Sequence, residues 1–78
     1  MSRIVFELVI EDVSGEVGEL VSMQPYGDLE TAQRAASKFY EGKVGKWPSW
    51  IEWVQAGRTH WSADAGQWVF GITQRKIK

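Results

Sequence analysis

Residues 28–42 have the sequence DLETAQRAASKFYEG, and this stretch decides the fold. Its apolar residues recur at steps of three and four, which places them on one stripe of an α-helix. Asp28 is the expected N-cap, because its carboxylate can accept from the free N–H groups of the first turn. Gly42 is the expected stop, because glycine readily adopts the conformation that closes a helix. The sequence therefore predicts one helix, against which the remaining elements must pack.

The residues before this helix predict a β-hairpin. Apolar and polar positions alternate from Arg3 to Glu11, as they do in a half-buried strand. A two-residue turn at Ser14-Gly15 would lead into a second strand, which Pro25 ends or marks as an edge because proline donates no hydrogen bond. The resulting cross-strand pairs are Leu8 with Val21 and Phe6 with Met23. The residues expected on the outward face are Glu7, Val9, Glu11, Leu20 and Ser22.

The residues after the helix predict a three-stranded meander. The expected strands are Ile51–Ala56, Thr59–Ala63 and Gln67–Gln74. The last two strands are joined by a turn at residues 63–66, and a symmetric turn there would set Trp61 opposite Trp68. The face expected to be buried carries Trp61, Trp68, Phe70 and Ile72, and the other carries His60, Ser62, Gln67 and Val69. The segment around Trp50 and Trp53 also fits a short helix with a proline-led start.

These elements predict an α+β fold, with a single antiparallel sheet of about five strands in the order ββαβββ and one helix packed across one face. Residues 1–78 would form a single small domain. Either the third or the fifth strand could lie beside the first, because the helical crossover returns the chain antiparallel to it. An edge strand could also pair two copies into a homodimer, with one edge protected by Pro25.

Composition narrows the functional classes. The chain contains no cysteine, which suits a reducing cytoplasm and leaves no thiolate for a metal. Glu7 interrupts the apolar run of the first strand, so this run fits neither a signal peptide nor a membrane span. We therefore expect a cytoplasmic location and no contact with a membrane.

No group of residues amounts to a reaction mechanism. His60 is the only histidine, and catalysis would require an orienting carboxylate, for which Asp64 and Glu52 are the nearest candidates. The acidic pairs of the hairpin have no implied cleft between them. The eight glycines form no phosphate-binding loop. We expect no enzymatic activity, no metal and no cofactor.

Charge divides the chain in two. Residues 1–30 have a net charge of −6 and residues 31–78 a net charge of +5, within a total of −1. The two halves could intersperse their charges in the fold, or they could leave an acidic surface on the hairpin. The second alternative predicts a protein-binding module that meets a basic surface and competes there with nucleic acid. Its predicted binding residues are Glu7, Val9, Glu11, Glu16 and Leu20.

Five tryptophans support an alternative hypothesis. Two or three can fill a small core, and Trp61 and Trp68 are assigned there. At least one of Trp47, Trp50 and Trp53 should then be exposed, where it could stack on a base while lysines neutralise phosphate. The residues of this single-stranded nucleic-acid site would be Lys43, Lys46, Trp47, Trp50 and Arg58. The sequence pI of about 5.7 favours the protein-binding hypothesis over this one.

In its size, its lack of cysteine, its ββαβββ order and its lack of catalytic groups, the chain resembles the small accessory proteins of phages and mobile elements, including anti-CRISPR proteins. This resemblance covers the outline of the chain, rests on no motif and assigns no residue a role. It implies a stoichiometric inhibitor as one form of the protein-binding hypothesis.

Overall fold

The computed structural model of the protein describes residues 3–77 and confirms the predicted α+β class. Its elements are β1 (Arg3–Asp12), β2 (Glu19–Tyr26), α1 (Leu29–Lys43), β3 (Val54–Gln55), β4 (His60–Asp64) and β5 (Trp68–Ile77). The strands form one antiparallel sheet in the order β2-β1-β5-β4-β3, so the fifth strand lies beside the first. Within residues 3–77, no helix is long and apolar enough to cross a membrane.

The start of α1 agrees with the sequence. Asp28 is the N-cap, and its Oδ1 accepts from the Thr31 N–H at 2.7 Å. Glu30 adds a carboxylate in the first turn, where the helix dipole favours it. The stripe predicted from the three- and four-residue steps is buried against the sheet, and its fully buried members are Ala32, Ala36 and Tyr40.

The predicted end of the helix is wrong by one residue. Gly42 is helical and α1 continues to Lys43, with Val44 as the C-cap. The Val44 N–H donates to the Tyr40 carbonyl at 2.8 Å, which satisfies one of the last carbonyls of the helix. Gly45 supplies the positive φ, +146°, that turns the chain away. Because a second glycine follows so closely, the helix does not need to stop at the first.

The predicted register of the β1–β2 hairpin is also wrong. Leu8 lies opposite Gln24 and Phe6 opposite Tyr26, instead of opposite Val21 and Met23. The chain turns through the six residues 13–18, and the Asp12 carboxylate accepts from the Ser14 N–H and hydroxyl at the start of this loop. The register then shifts between Ile10 and Glu11, which leaves Val21 without a residue opposite it, as in a β-bulge.

The third strand is shorter than predicted. Only Val54 and Gln55 pair with β4, and residues 51–53 form neither the strand nor the helix that the sequence allowed. The reason lies at Ile51, which is buried in the core and held there by backbone hydrogen bonds. Its N–H donates to the Pro48 carbonyl at 3.3 Å, and its carbonyl accepts from Trp47 Nε1 at 3.2 Å.

The β4–β5 hairpin has a different register but the predicted faces. β4 continues to Asp64, and Trp61 lies opposite Ile72 instead of Trp68. Because the shift is an even number of residues, every side chain stays on the face that the alternation predicts. The side facing the helix carries Trp61, Trp68, Phe70 and Ile72, which confirms the predicted set.

Aromatic side chains fill the space between the sheet and the elements that cover it. Phe70 has no exposed surface, and its ring lies 5.7 to 6.3 Å from those of Trp47, Phe39 and Trp53. Trp47 and Trp53 stack on each other with an interplanar angle of 7°. The loop after α1 therefore extends the cover of the sheet beyond the helix, which explains why so short a chain carries so many tryptophans.

Candidate protein-binding surface

One face of the sheet points away from α1, and its residues follow from the strand register. α1 packs on the opposite face, where Leu8, Ile10, Phe70 and Ile72 are buried. Three cross-strand rows make up most of the outward face: Leu20–Glu11–Val69–Asp64, Met23–Val9–Gly71–Ser62–Val54 and Pro25–Glu7–Thr73–His60. Aliphatic side chains therefore occur between charged ones over much of this surface.

The structure brings together four of the five residues predicted to bind a protein. Glu7, Val9, Glu11 and Leu20 all lie on the outward face, and Glu16 lies beyond them in the loop 13–18. Leu20 is directly opposite Glu11 and 59% exposed. The prediction for Ser22 is wrong: the bulge places it opposite Ile10, on the helix side, and Met23 and Pro25 occupy outward positions instead.

Glu7 contributes less negative charge than the sequence suggests. Its side chain is only 20% exposed, and its Oε1 lies 3.6 Å from Nε of Arg75 on the neighbouring strand β5. The cation offsets much of the charge at the centre of the face. The strongest negative potential therefore lies elsewhere on the sheet.

Negative charge collects at the end of the sheet where β1 turns into β2. This acidic end comprises Glu11, Asp12, Glu16, Glu19 and Asp64: Glu11 and Asp64 share a row of the outward face, Asp12 and Glu19 pair on the helix side, and Glu16 lies in the loop between β1 and β2. Among residues 3–77, neither of the two ion pairs within 4.0 Å includes any of the five. Hydrogen bonds from the side chain and backbone of Ser14 hold the pKa of the Asp12 carboxyl below its usual value.

The loops of the acidic end are tied to each other. The Val13 N–H donates to the Gln67 carbonyl at 2.8 Å, and Gln67 Nε2 donates to Asp12 Oδ2 at 3.4 Å. Beside them Val17 is 79% exposed. The acidic end therefore combines carboxylates with accessible aliphatic side chains on a loop that a second hairpin supports.

Asp64 belongs to the acidic end, although the sequence did not assign it to the binding surface. It comes from β4, nearly 40 residues after the hairpin ends at Tyr26, and reaches the acidic end because β5 pairs with both β1 and β4. Only the strand order could have revealed it. The sequence left that order open.

The opposite end of the sheet is cationic. Arg3 starts β1, and Arg75 and Lys76 lie near the end of β5, which is antiparallel to β1. Arg58 lies in the adjacent turn between β3 and β4, next to Thr59, whose carbonyl accepts from the Gln74 N–H. Charge is therefore separated along the strands of a molecule whose longest dimension is 40 Å.

The residues of the alternative nucleic-acid site occupy different environments. Trp50 is 63% exposed, which confirms that one of the three loop tryptophans is accessible. Trp47, by contrast, is half-buried in its stack with Trp53. The Lys43 ammonium lies 5.8 Å from the centre of the Phe39 ring, Lys46 is exposed, and Arg58 lies in the β3–β4 turn. Within residues 41–53 the two lysines are balanced by Glu41 and Glu52.

His60 is on the outward face and half-buried. Its Nδ1 lies 3.1 Å from the Thr73 hydroxyl oxygen on β5, so its hydrogen-bonding partner is a hydroxyl and not one of the carboxylates that the sequence offered. Within the described range 3–77, no three histidine, aspartate or glutamate side chains are grouped closely enough to hold a metal ion.

Comparison with known proteins adds no further information: no family model, curated protein or solved structure matches this chain.

Proposed function

We propose that this protein is a non-enzymatic protein-binding module of the cytoplasm, which docks its acidic end onto a basic surface of a partner protein and so occludes that surface. The observation that carries this proposal is the grouping of five carboxylates at one end of the sheet, with exposed Leu20 beside Glu11 on the outward face and exposed Val17 beside Asp12 and Glu19 at the loop. Charge and apolar contact are both needed in such a surface, and here they lie side by side.

The carboxylates contribute mainly to the rate and specificity of association. A cleft or patch of one sign raises on-rates for an oppositely charged partner by about 10- to 1,000-fold at low salt. Each solvent-exposed ion pair adds only about 0–1 kcal/mol to affinity. Salt should therefore slow binding strongly and affect the dissociation rate little.

The aliphatic side chains supply affinity. Full burial of a leucine or valine side chain contributes roughly 1.5–3 kcal/mol. Leu20 and Val17 are among the most exposed apolar side chains of residues 3–77, so each still has most of this gain available. Burial of both in a partner's pocket would anchor the complex that the charges orient.

A partner that binds nucleic acid fits this surface best. Lysine and arginine side chains that contact phosphates also bind carboxylates, because both anions accept charge-assisted hydrogen bonds. The acidic end would then compete directly with nucleic acid for the same residues. Inhibition of this kind is stoichiometric, as the resemblance to phage and mobile-element inhibitors, including anti-CRISPR proteins, implies.

The test is a tagged pull-down from lysate, run with and without nuclease, with quantification of the partner by mass spectrometry and titration of the purified pair. We expect a partner at a fixed molar ratio, and a loss of binding of at least tenfold for Glu11→Lys combined with Glu16→Lys. The matched control is Glu41→Lys combined with Glu52→Lys, which changes the net charge equally at exposed positions away from the acidic end.

Equal weakening by the test and control variants would refute the proposed site, since it would show that only net charge matters. Capture of nucleic acid that disappears after nuclease treatment would refute the proposal as a whole. In that case exposed Trp50, with Lys43 and Lys46, becomes the surface to mutate.

A further inference from the structure

The outward side chains of β1 reverse in charge from one end of the strand to the other. They are, in order, Arg3, Val5, Glu7, Val9 and Glu11. A valine flanks Glu7 on each side, with a cation at one end and a carboxylate at the other. The outward residues of β5 begin at Val69 and end at Ile77, so this neighbouring strand is apolar at both ends.

We infer that the outward face of the sheet binds a second copy of this chain, face to face, with the strands of the two sheets antiparallel. This inference goes beyond the proposed function and does not depend on it. A two-fold axis in the interface, perpendicular to the strands and passing over Glu7, generates the arrangement. A two-fold axis parallel to the strands would instead make the strands of the two copies parallel, and the acidic end of one copy would then face the acidic end of the other.

The antiparallel arrangement matches unlike residues of the two copies. Glu11 of one copy approaches Arg3 of the other, Val9 approaches Val5, and Val69 approaches Ile77. Stacked sheets are rotated by about 30°, which displaces residues four positions from the axis by about 6 Å, roughly one strand spacing. An arginine side chain can span that distance. The charge reversal therefore selects this orientation despite the twist.

Glu7 lies at the axis, where it would face its own symmetry mate. Its ion pair with Arg75 offsets this repulsion, because each copy brings a cation with its carboxylate. Gly71 lies in the row next to Glu7 and Thr73 and presents no side chain to the other sheet. In the dimer this gap lies opposite Arg75 of the other copy, which leaves room for the guanidinium.

The available area suits a weak dimer. In this arrangement only β1 and β5 lie opposite their symmetry mates along their whole length, because β2, β3 and β4 extend from the axis towards the acidic end alone. Two strands about 4.8 Å apart and ten residues long present a strip of about 10 by 33 Å, or about 300 Å² per copy. This is well below the roughly 800 Å² per partner of a standard specific interface. We therefore expect a concentration-dependent equilibrium and not a permanent dimer.

The edges of the sheet are less suited to self-association. β3 has only two residues. β2 is longer, but it carries Pro25 and the bulge at Val21, two features that discourage strand addition at an edge. The face is therefore the better candidate for a contact between copies.

Sedimentation velocity of the purified chain, from about 5 to about 500 µM at low salt, tests the inference. The apparent mass should rise from 8.9 kDa towards twice that value. Arg3→Glu and Glu11→Arg should each weaken the dimer about tenfold or more, because each ion pair occurs twice. The double variant, Arg3→Glu with Glu11→Arg, should restore it. Val9→Asp should abolish it, and circular dichroism should confirm that each variant is folded.

A chain that stays monomeric over the whole range would overturn the inference. A dimer that resists both charge reversals would overturn it too, since the contact would then lie elsewhere, and so would failure of the double variant to recover. The sedimentation experiment contains only the purified chain and no partner protein, so its result is independent of whether the proposed function is correct. The double variant also separates them: it should dimerise yet lose a basic partner, since Glu11 has become a cation.

Discussion

Replacement of Phe70 by leucine tests whether the aromatic cluster holds the fold together. Phe70 is fully buried, and three aromatic rings lie within 6.3 Å of its centre. Each such pair contributes about 0.5–1.5 kcal/mol beyond its area, so the loss of three gives at least about 1.5 kcal/mol. Incomplete filling of the site adds to this, and we expect a total near 2 kcal/mol. A chain of this length has only about 4–12 kcal/mol of stability.

The assay is equilibrium unfolding in urea, followed by circular dichroism, with thermal unfolding in parallel. A loss of about 2 kcal/mol should lower Tm by about 10 °C. The matched control is Phe6→Leu, because Phe6 is half-buried on the same face and has one ring neighbour, Trp61 at 5.9 Å. It should lose about 0.5–1 kcal/mol. If both variants lose the same stability, the reasoning from ring contacts is refuted.

Three further predictions test the local structure. Gly42→Ala should stabilise the protein by about 0.5–1 kcal/mol, because the site is helical with nothing within 4 Å of an added Cβ; Gly66→Ala, at φ +81°, should destabilise it by about 1–2 kcal/mol. Urea unfolding measures both changes in stability. If Gly42→Ala destabilises the protein as Gly66→Ala does, the assigned helix end is contradicted. The pKa of the Asp28 carboxyl is lowered, above all by the hydrogen bond from the Thr31 backbone, so its stabilisation is present above about pH 4 and disappears as the pH falls through the folded-state pKa. Asp28→Asn keeps the acceptor but not the titration, so Tm should fall less between pH 4 and pH 2, and curves parallel to the wild type would argue against this account. Trp50→Phe should remove most of the acrylamide-quenchable fluorescence and change stability by less than about 0.5 kcal/mol, whereas Trp68→Phe should leave the quenching in place.

The elements that sequence predicts well here are those in which short-range periodicity coincides with burial. The Asp28 cap and the apolar stripe of α1 depend on neighbours within one or two turns, and both are confirmed. The alternation in β5 likewise fixed which residues face the core, although the register was wrong by an even number. Side-chain direction is a local property, and it survives errors in pairing.

Pairing itself depends on residues that no local pattern specifies. In the first hairpin the chain turns through residues 13–18 where a two-residue turn at Ser14-Gly15 was also compatible with the sequence. The extra residue at Val21 then moved Ser22 to the helix side. At Ile51, burial takes the place of strand pairing: the side chain is buried in the core, and the backbone carbonyl accepts from Trp47 Nε1 instead of from a neighbouring strand.

The distribution of charge over the surface also depends on strand pairing, which local sequence patterns do not specify. The acidic and basic halves of the chain suggested either mixing or an acidic hairpin, and the fold is closer to the second, since four of the five carboxylates of the acidic end belong to the hairpin. Because β1 and β5 are antiparallel neighbours, the basic end of β5 lies beside Arg3, and Asp64 joins the acids of the hairpin. Charge is thus separated by strand end and not by sequence half, which depends on strand order and could not be derived from counts.

The two proposals share Glu11, and this has a quantitative consequence. Glu11 belongs both to the acidic end proposed for the partner and to the face proposed for a second copy, so only the monomer would dock. At a chain concentration equal to the dimer dissociation constant, half of the chains are monomeric, and the apparent affinity for the partner is about twofold lower. At about a hundred times that concentration, about one chain in fifteen is monomeric and the reduction is about fifteenfold. Dimerisation would therefore cover Glu11 and suppress indiscriminate binding to basic surfaces when the protein is abundant. A partner that binds more tightly than the second copy would still displace it.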